Sequence, residues 1–260
     1  MIKYLFKYNK PLLKKVFILG LPIIIGNISR VSMELVDMAM INGLGNIHAL
    51  SGVSMGGMLV WIFISLGIGI RTSTQTVSSR RYGERDLDKC GLALRHGLLL
   101  ALVIGLPISI LGFFYFDDIL PYLITHDEII PYTAVYVKYM SAGIIITLFA
   151  LVFQGFYNSI EKTTIHMKVT LLSNIINVYL NAGLIFGTEK INEFFSDSSF
   201  YMLKYLWTWT HFPAMGVKGA ALGTVIATLC MLIHYALYLF KDEIKKQYSA
   251  FTAHISLIKL

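Results

Sequence analysis

Charged side chains are scarce in this chain. Only 14% of its 260 residues are Asp, Glu, Lys or Arg, whereas 56% are hydrophobic, and the mean hydropathy is +0.66. An average soluble domain carries about a quarter charged residues. The composition therefore excludes an ordinary soluble protein and indicates an integral membrane protein.

Cysteine is almost absent, and the common catalytic motifs are missing. The two cysteines, Cys90 and Cys230, have no spacing typical of a disulfide framework or a metal site. The seven histidines form no H-E-x-x-H motif, and the chain contains neither G-x-S-x-G nor a phosphate-binding loop. We therefore expect neither enzyme activity nor a cofactor.

The basic residues, which give a net charge of +7, are distributed in a way that argues against nucleic-acid binding. Of the 22 Lys and Arg, 17 lie in the N-terminal segment, the tail and two alternate connections between apolar runs, and only three lie in the remaining connections. Such alternation is the positive-inside pattern of a multi-pass membrane protein. It predicts that both termini are cytoplasmic, and we expect a bacterial inner membrane.

Six apolar segments can be distinguished, and they predict an all-α bundle of six transmembrane helices. A connection rich in aromatic residues, 187–216, precedes the last segment. It is expected to be either a short helix at the membrane interface or a packed cap on the bundle. The predicted divisions are a basic cytoplasmic N-terminus at 1–15, spans at about 16–41, 50–70, 92–116, 132–156, 169–186 and 217–240, and an amphipathic tail or interlobe linker at 241–260.

The first apolar segment carries an unusual set of charges. Arg30, Glu34 and Asp37 follow one another at i, i+4 and i+7, so they share one stripe of a helix. A charge near the bilayer centre costs at least about 2.5–3.5 kcal/mol, so this stripe should face protein or water. Pro22 removes a backbone donor and should kink the helix. The pattern indicates a transport pathway, although Arg30 and Glu34 could simply neutralise each other inside the bundle.

A second polar stripe lies on the fifth apolar segment. Asn174, Asn177 and Asn181 occupy i, i+3 and i+7 and share a face. These amides could join helices or line an aqueous cavity. Asp37, Asn181 and Thr224 all lie within roughly 6–12 Å of the predicted outer boundary. Their oxygens would suit a hard cation such as Na⁺, or a proton on the carboxylate.

Several motifs, taken in order, resemble the multidrug and toxic compound extrusion (MATE) family of transporters. The first segment reads LPIIIGNISRVSMELVDMAMINGLG and is similar to that family's L-P-x-x-x-x-N…L-V-D…x-G-x-L-G. GIGI and SRRYGERD follow, then QGFYNSIEKTTIHMKV, SNIINVYLNAGLIFG and MGVKGAALGTVIA. The last two resemble the family's N-x-x-N-x-x-L-[DN]…L-I-F-G and G-V-x-G-A-A-x-A-T-x-I-A patterns. The resemblance covers most of the chain.

The resemblance implies cation-coupled efflux by alternating access. It places the family's cation-binding residues on Asp37, Asn177 and Thr224, and its kinking proline on Pro22. The family often has aspartate where this chain has Asn181, so the resemblance implies a site that lacks one titratable group here. Arg30, Glu34 and Asn174 are assigned a role in the substrate pathway or in structure.

The family has about twelve helices in two similar lobes, and six segments correspond to its amino-terminal lobe. A homodimer could reproduce the two-lobe geometry, since the lobes are parallel repeats about an axis along the membrane normal. A truncated or fragmentary chain that lacks the second lobe is the preferred interpretation, because the tail looks like a linker to a seventh helix.

The predicted function is antiport, in which inward movement of Na⁺ or H⁺ drives export of a drug or other organic cation. Membrane lipid is the expected surroundings, and nucleic acid is not an expected partner. A lipid-linked saccharide flippase of the same fold group is an alternative, for which Arg30 and Lys138 are the in-membrane basic candidates. An inactive transporter remnant is another, and it should tolerate changes at Asp37 and Pro22.

Overall fold

A computed structural model describes residues 10–196, 201–241 and 248 of the chain. Most of the predicted N-terminus and tail lies outside these residues. The described chain is built from helices whose limits extend beyond several of the apolar segments. They are α1 (Lys10–Asn42), α2 (Ile47–Gly83), α3 (Leu87–Leu123), α4 (Ile130–Ala142), α5 (Ile144–Ser159), α6 (Thr163–Phe186), α7 (Thr188–Ser196), α8 (Tyr205–Thr208) and α9 (Val217–Leu239), with a 3₁₀ turn at Tyr201–Lys204.

Five of these helices, α1, α2, α3, α6 and α9, are long and apolar enough to cross a membrane. The bent pair α4–α5 satisfies the same criteria when its two helices are taken together, which brings the number of spans to six. The prediction of an all-α membrane bundle is therefore confirmed for the part of the chain that the structure describes.

The fourth apolar segment is a broken helix rather than a straight one. The axes of α4 and α5 differ by 51° across Gly143. A break in a helix frees backbone groups that must find other partners inside a bundle. Ser109 of α3 meets this need, because its hydroxyl accepts a hydrogen bond from the backbone N–H of Ile145 at 3.0 Å.

Local sequence explains where helix α2 begins and ends. Asn46 caps α2, since its side-chain oxygen accepts hydrogen bonds from the N–H groups of His48 and Ala49 at 3.0 and 3.2 Å. The helix ends at Gly83, and a charged turn follows. Arg81 and Arg80 donate hydrogen bonds to Glu84 in this turn and hold the pKa of its carboxyl below its ordinary value.

Helix α6 lies at the centre of the site region, between α1 and α9. Helix α1 is the most exposed of the long helices, and its buried residues are Pro22, Gly26 and Ile41. Ile41 packs with Val53, Ile185 and other apolar side chains at the predicted outer end of the bundle. The α1 helix is therefore held mainly by its contact with α6, and this contact carries the polar side chains described below.

The aromatic connection packs on the end of α6. Trp207 is buried, its indole N–H donates to the Tyr179 carbonyl at 3.0 Å, and its ring stacks on that of Tyr179. The Thr188 hydroxyl donates to the Thr210 carbonyl at 2.8 Å and accepts from the N–H of Phe212 at 2.9 Å. Of the two predicted arrangements for 187–216, these contacts favour the packed cap.

Candidate cation site

Asp37 joins three helices near the predicted outer end of the bundle. It lies in the last turns of α1, and Asn181 of α6 donates its amide N–H to Asp37 Oδ1 at 2.7 Å. The Thr224 hydroxyl of α9 donates to Asp37 Oδ2 at 3.4 Å. Both carboxylate oxygens therefore accept hydrogen bonds from other helices.

Asn177 completes the cluster one turn below Asn181. Its amide N–H donates to the Thr224 hydroxyl oxygen at 3.3 Å, and its carbonyl oxygen accepts from Asn181 at 3.3 Å. Both asparagines are fully buried. The structure thus brings together all four residues that the sequence predicts for the cation site, although their role in binding stays a prediction.

The oxygen content of this cluster fits a small hard cation. Asp37 provides two carboxylate oxygens, the two asparagines provide amide oxygens, and Thr224 provides a hydroxyl. Hard cations prefer such ligands, and a carboxylate can also take a proton. Asp37 carries the only formal charge among the four, so one monovalent cation would neutralise it.

Asn174 makes a different contact. Its amide N–H donates to the Ser29 carbonyl of α1 at 2.8 Å and also to the Ser29 hydroxyl. Asn174 therefore joins α6 to α1 beside the cation cluster. The polar stripe of α6 consequently divides into one residue that links helices and two that surround Asp37.

The remaining charges predicted inside the membrane form ion pairs. Arg30 Nη1 lies 3.0 Å from Glu34 Oε1 on the same helix, and both side chains are about half exposed. Lys138 Nζ lies 3.2 Å from Asp117 Oδ2 of α3. Pro22 is buried within α1. The two basic groups considered for a lipid-linked saccharide flippase are thus both paired with carboxylates.

A second polar cluster, which the sequence analysis missed, lies near the opposite end of α6. Arg71 of α2 donates to Gln154 Oε1 of α5 at 3.3 Å. Gln154 Nε2 lies 2.9 Å from His166 Nε2, and His166 Nδ1 lies 2.6 Å from the Tyr235 hydroxyl of α9. We call these four residues the His166 cluster. Except for Arg71, its members are buried.

The donor pattern of the His166 cluster follows from Arg71. Because a guanidinium only donates, the oxygen of the Gln154 amide must face Arg71 and its nitrogen must face the imidazole. His166 Nε2 then accepts, which assigns the ring proton to Nδ1, where it is donated to Tyr235. The signal available in the sequence was a glutamine inside the fourth apolar segment and a histidine just before the fifth, each of which needs a hydrogen-bond partner when it is buried.

Comparison with known proteins identifies the family. The family model described as MatE matches residues 22–182, which is more than half of the chain. The chain belongs to the MatE family. The matched residues include Pro22, Asp37, Asn177 and Asn181, whereas Thr224 lies beyond them.

Proteins similar to this chain include bacterial proteins named as multidrug resistance or multidrug export proteins. The "Probable multidrug resistance protein NorM" of Agrobacterium fabrum is 25% identical over 92% of this chain and 46% of its own length. The protein of the same name from Bacillus cereus is 28% identical over 85% of the chain and 44% of its own length. The "Multidrug export protein MepA" of Staphylococcus saprophyticus is 24% identical over 86% and 44%, respectively. The chain therefore spans about half the length of these relatives.

Solved structures of MATE transporters have the same fold as this bundle. A MOP superfamily transporter from Pyrococcus furiosus superposes with a TM-score of 0.72 at 22% identity, over 90% of this chain and 50% of that one. A MATE transporter in complex with MaD5 gives a TM-score of 0.74 at 22% identity, over 94% and 49%. The predicted resemblance to one MATE-type lobe is thus confirmed for the fold.

Proposed function

We propose that this MatE-family chain acts as one lobe of a cation-coupled exporter of drugs or other organic cations. Its relatives are named as multidrug resistance and export proteins. The observation that carries the proposal is the position of Asp37, a carboxylate on the most exposed of the long helices that accepts hydrogen bonds from side chains of α6 and α9. Na⁺ or H⁺ would bind at Asp37 with Asn177, Asn181 and Thr224 as neighbours.

The contacts of Asp37 connect cation binding to helix packing. The ionised carboxylate holds α1 to α6 and α9 through Asn181 and Thr224. A bound cation would compete for the same oxygens and change these two contacts. Binding of a cation would in this way shift the equilibrium between two arrangements of α1, and that coupling is reciprocal with binding of the exported substrate.

The exported substrate would follow a pathway along α1, where Arg30 and Glu34 lie half exposed. We place both termini on the cytoplasmic side and the protein in a bacterial inner membrane, because the basic connections lie on one side. A second lobe would complete the pathway, supplied either by a second copy of this chain or by another segment of polypeptide. Saccharide flipping is not proposed, because Arg30 and Lys138 are both paired with carboxylates.

The proposal is tested by Asp37→Asn, which keeps the shape of the side chain but removes its charge. We expect cation-dependent efflux of ethidium from cells expressing the protein to fall to the level of cells without it, while the amount of protein in the membrane stays unchanged. Asp117→Asn is the control, since that carboxylate pairs with Lys138 on other helices. Unchanged cation-dependent efflux in Asp37→Asn would contradict the site. Efflux no higher than in cells without the protein, for the unsubstituted chain and for Asp37→Asn and Pro22→Ala alike, would support an inactive remnant.

A further inference from the structure

Gly223 lies beside Asn181 in an unusually close contact. Asn181 Oδ1 occupies the position where a side chain at residue 223 would begin, so a Cβ atom there would overlap with this oxygen. Asn181 is fully buried, and its Oδ1 has no hydrogen-bond partner among the described residues. The space beside Gly223 is therefore taken by one end of an amide whose other end contacts Asp37.

The amide group can present either of its ends to Asp37, provided that the Asn177 amide turns with it, because Asn181 now donates to the Asn177 carbonyl oxygen at 3.3 Å. The N–H that faces the carboxylate in this structure suits an ionised Asp37. A carboxylic acid or a bound Na⁺ would favour the carbonyl oxygen instead, because both require an acceptor or an oxygen ligand. Because the oxygen and nitrogen lie on opposite sides of the amide, whichever atom faces away from Asp37 must occupy the space beside Gly223.

We infer that Gly223 is a positioning residue that leaves room for the Asn181 amide to turn between these two orientations as the cation at Asp37 binds and leaves. This inference rests on the proposed function and specifies how its cation site adapts.

Among the described residues, few titratable groups lie near Asp37, so cation binding at this carboxylate can be followed by spectroscopy. Glu34 on α1 and Tyr136 on α4 are the titratable side chains within its electrostatic range. From α6 and α9 the facing groups are the neutral side chains of Asn177, Asn181 and Thr224. A signal that Asp37→Asn abolishes therefore belongs to Asp37 and not to Glu34 or Tyr136.

The test is infrared difference spectroscopy of the purified full chain in lipid nanodiscs, with acid-induced and Na⁺-induced spectra recorded separately. The carboxyl band that disappears in Asp37→Asn reports occupancy by H⁺ in the first arm and by Na⁺ in the second. We expect Gly223→Ala to change the half-saturating cation concentration by about tenfold. This factor corresponds to the free energy of about one hydrogen bond to a charged group. Gly69→Ala is the matched control, because no atom lies within 4 Å of a Cβ added to that helical glycine.

A double-mutant cycle shows whether the effect of Gly223→Ala passes through the Asn181 amide. Asn181→Ala removes the amide, so Gly223→Ala should have no further effect on cation binding in that background. An equal effect of Gly223→Ala with and without the amide would overturn the inference, as would an unchanged half-saturating concentration in the single variant. Absence of any cation-dependent band at Asp37 in the wild type would instead overturn the proposed function.

Discussion

Single residues in this bundle show how a membrane protein places polar side chains without exposing them to lipid. Gln154 and His166 are buried near the end of α6 opposite Asp37, and each has a hydrogen-bond partner on another helix. An unsatisfied polar group in an apolar surrounding is costly, so these contacts fix the mutual positions of α2, α5, α6 and α9. The His166 cluster therefore stabilises the packing of these four helices, whether or not it takes part in transport.

Gln154→Leu tests this structural consequence. The substitution leaves the imidazole and the guanidinium without their common partner, which should lower the free energy of unfolding by about 1–3 kcal/mol. Thermal unfolding in detergent, followed by loss of monodisperse protein, measures the effect. Ser65→Ala is a suitable control, since its exposed hydroxyl bonds only to Ile62 of the same helix. Equal stability of the two variants would show that the His166 cluster contributes little.

At the scale of helices, close packing depends on glycines at the crossing points. At Gly52 of α2, an added Cβ atom would lie 2.6 Å from Tyr132 Cβ and 3.1 Å from the Ile129 carbonyl oxygen at the start of α4. Small residues at such positions allow helix backbones to approach in lipid, where van der Waals contact replaces the hydrophobic effect. Gly57, on the same helix, has open space around it.

These two glycines give a paired prediction for helix packing. Gly52→Ala should separate α2 from α4 and destabilise the protein by about 1–3 kcal/mol, the cost of overpacking. Gly57→Ala should be neutral or slightly stabilising, because alanine restricts the unfolded chain and meets no neighbour. Both variants can be compared by thermal unfolding in the same detergent. A destabilisation of the same size at both positions would argue that helix flexibility, not contact, is what glycine provides.

For the whole molecule, the arrangement of charge and the number of spans determine how two lobes could combine. An even number of spans places the two ends of a bundle on the same side of the membrane, so a second lobe can follow in parallel orientation. The structural neighbours are about twice as long as this chain, which covers 50% of one and 49% of another. The cation cluster lies within one lobe, whereas the substrate pathway would need two.

The assembled mass in the native membrane decides how the second lobe is supplied. If two copies form the transporter, cross-linking in the membrane should give a species of about twice the 29.3 kDa of one chain. Asp37→Asn should leave this mass unchanged, because its contacts lie within one bundle. A cross-linked product containing a different polypeptide, or a longer parent chain, would contradict the homodimer and leave the cation cluster as half of a larger pathway.

By itself the sequence determined that the chain is a bundle of apolar helices and which residues could hold a cation, whereas helices such as α2 and α3 extend beyond the apolar segments that predicted them. Hydropathy and charge distribution are local properties, so they can be read without knowing which helices meet. Asp37, Asn177, Asn181 and Thr224 were predicted from depth and from the family resemblance, and these are also properties of single segments.

Only the tertiary structure decided which of these side chains meet. It divided the α6 stripe, placing Asn174 on Ser29 and Asn181 on Asp37. It also bent the fourth segment at Gly143 and joined Gln154 to His166. Contacts of this kind depend on the rotation and separation of helices, which result from packing among all of them, and so no single segment encodes them.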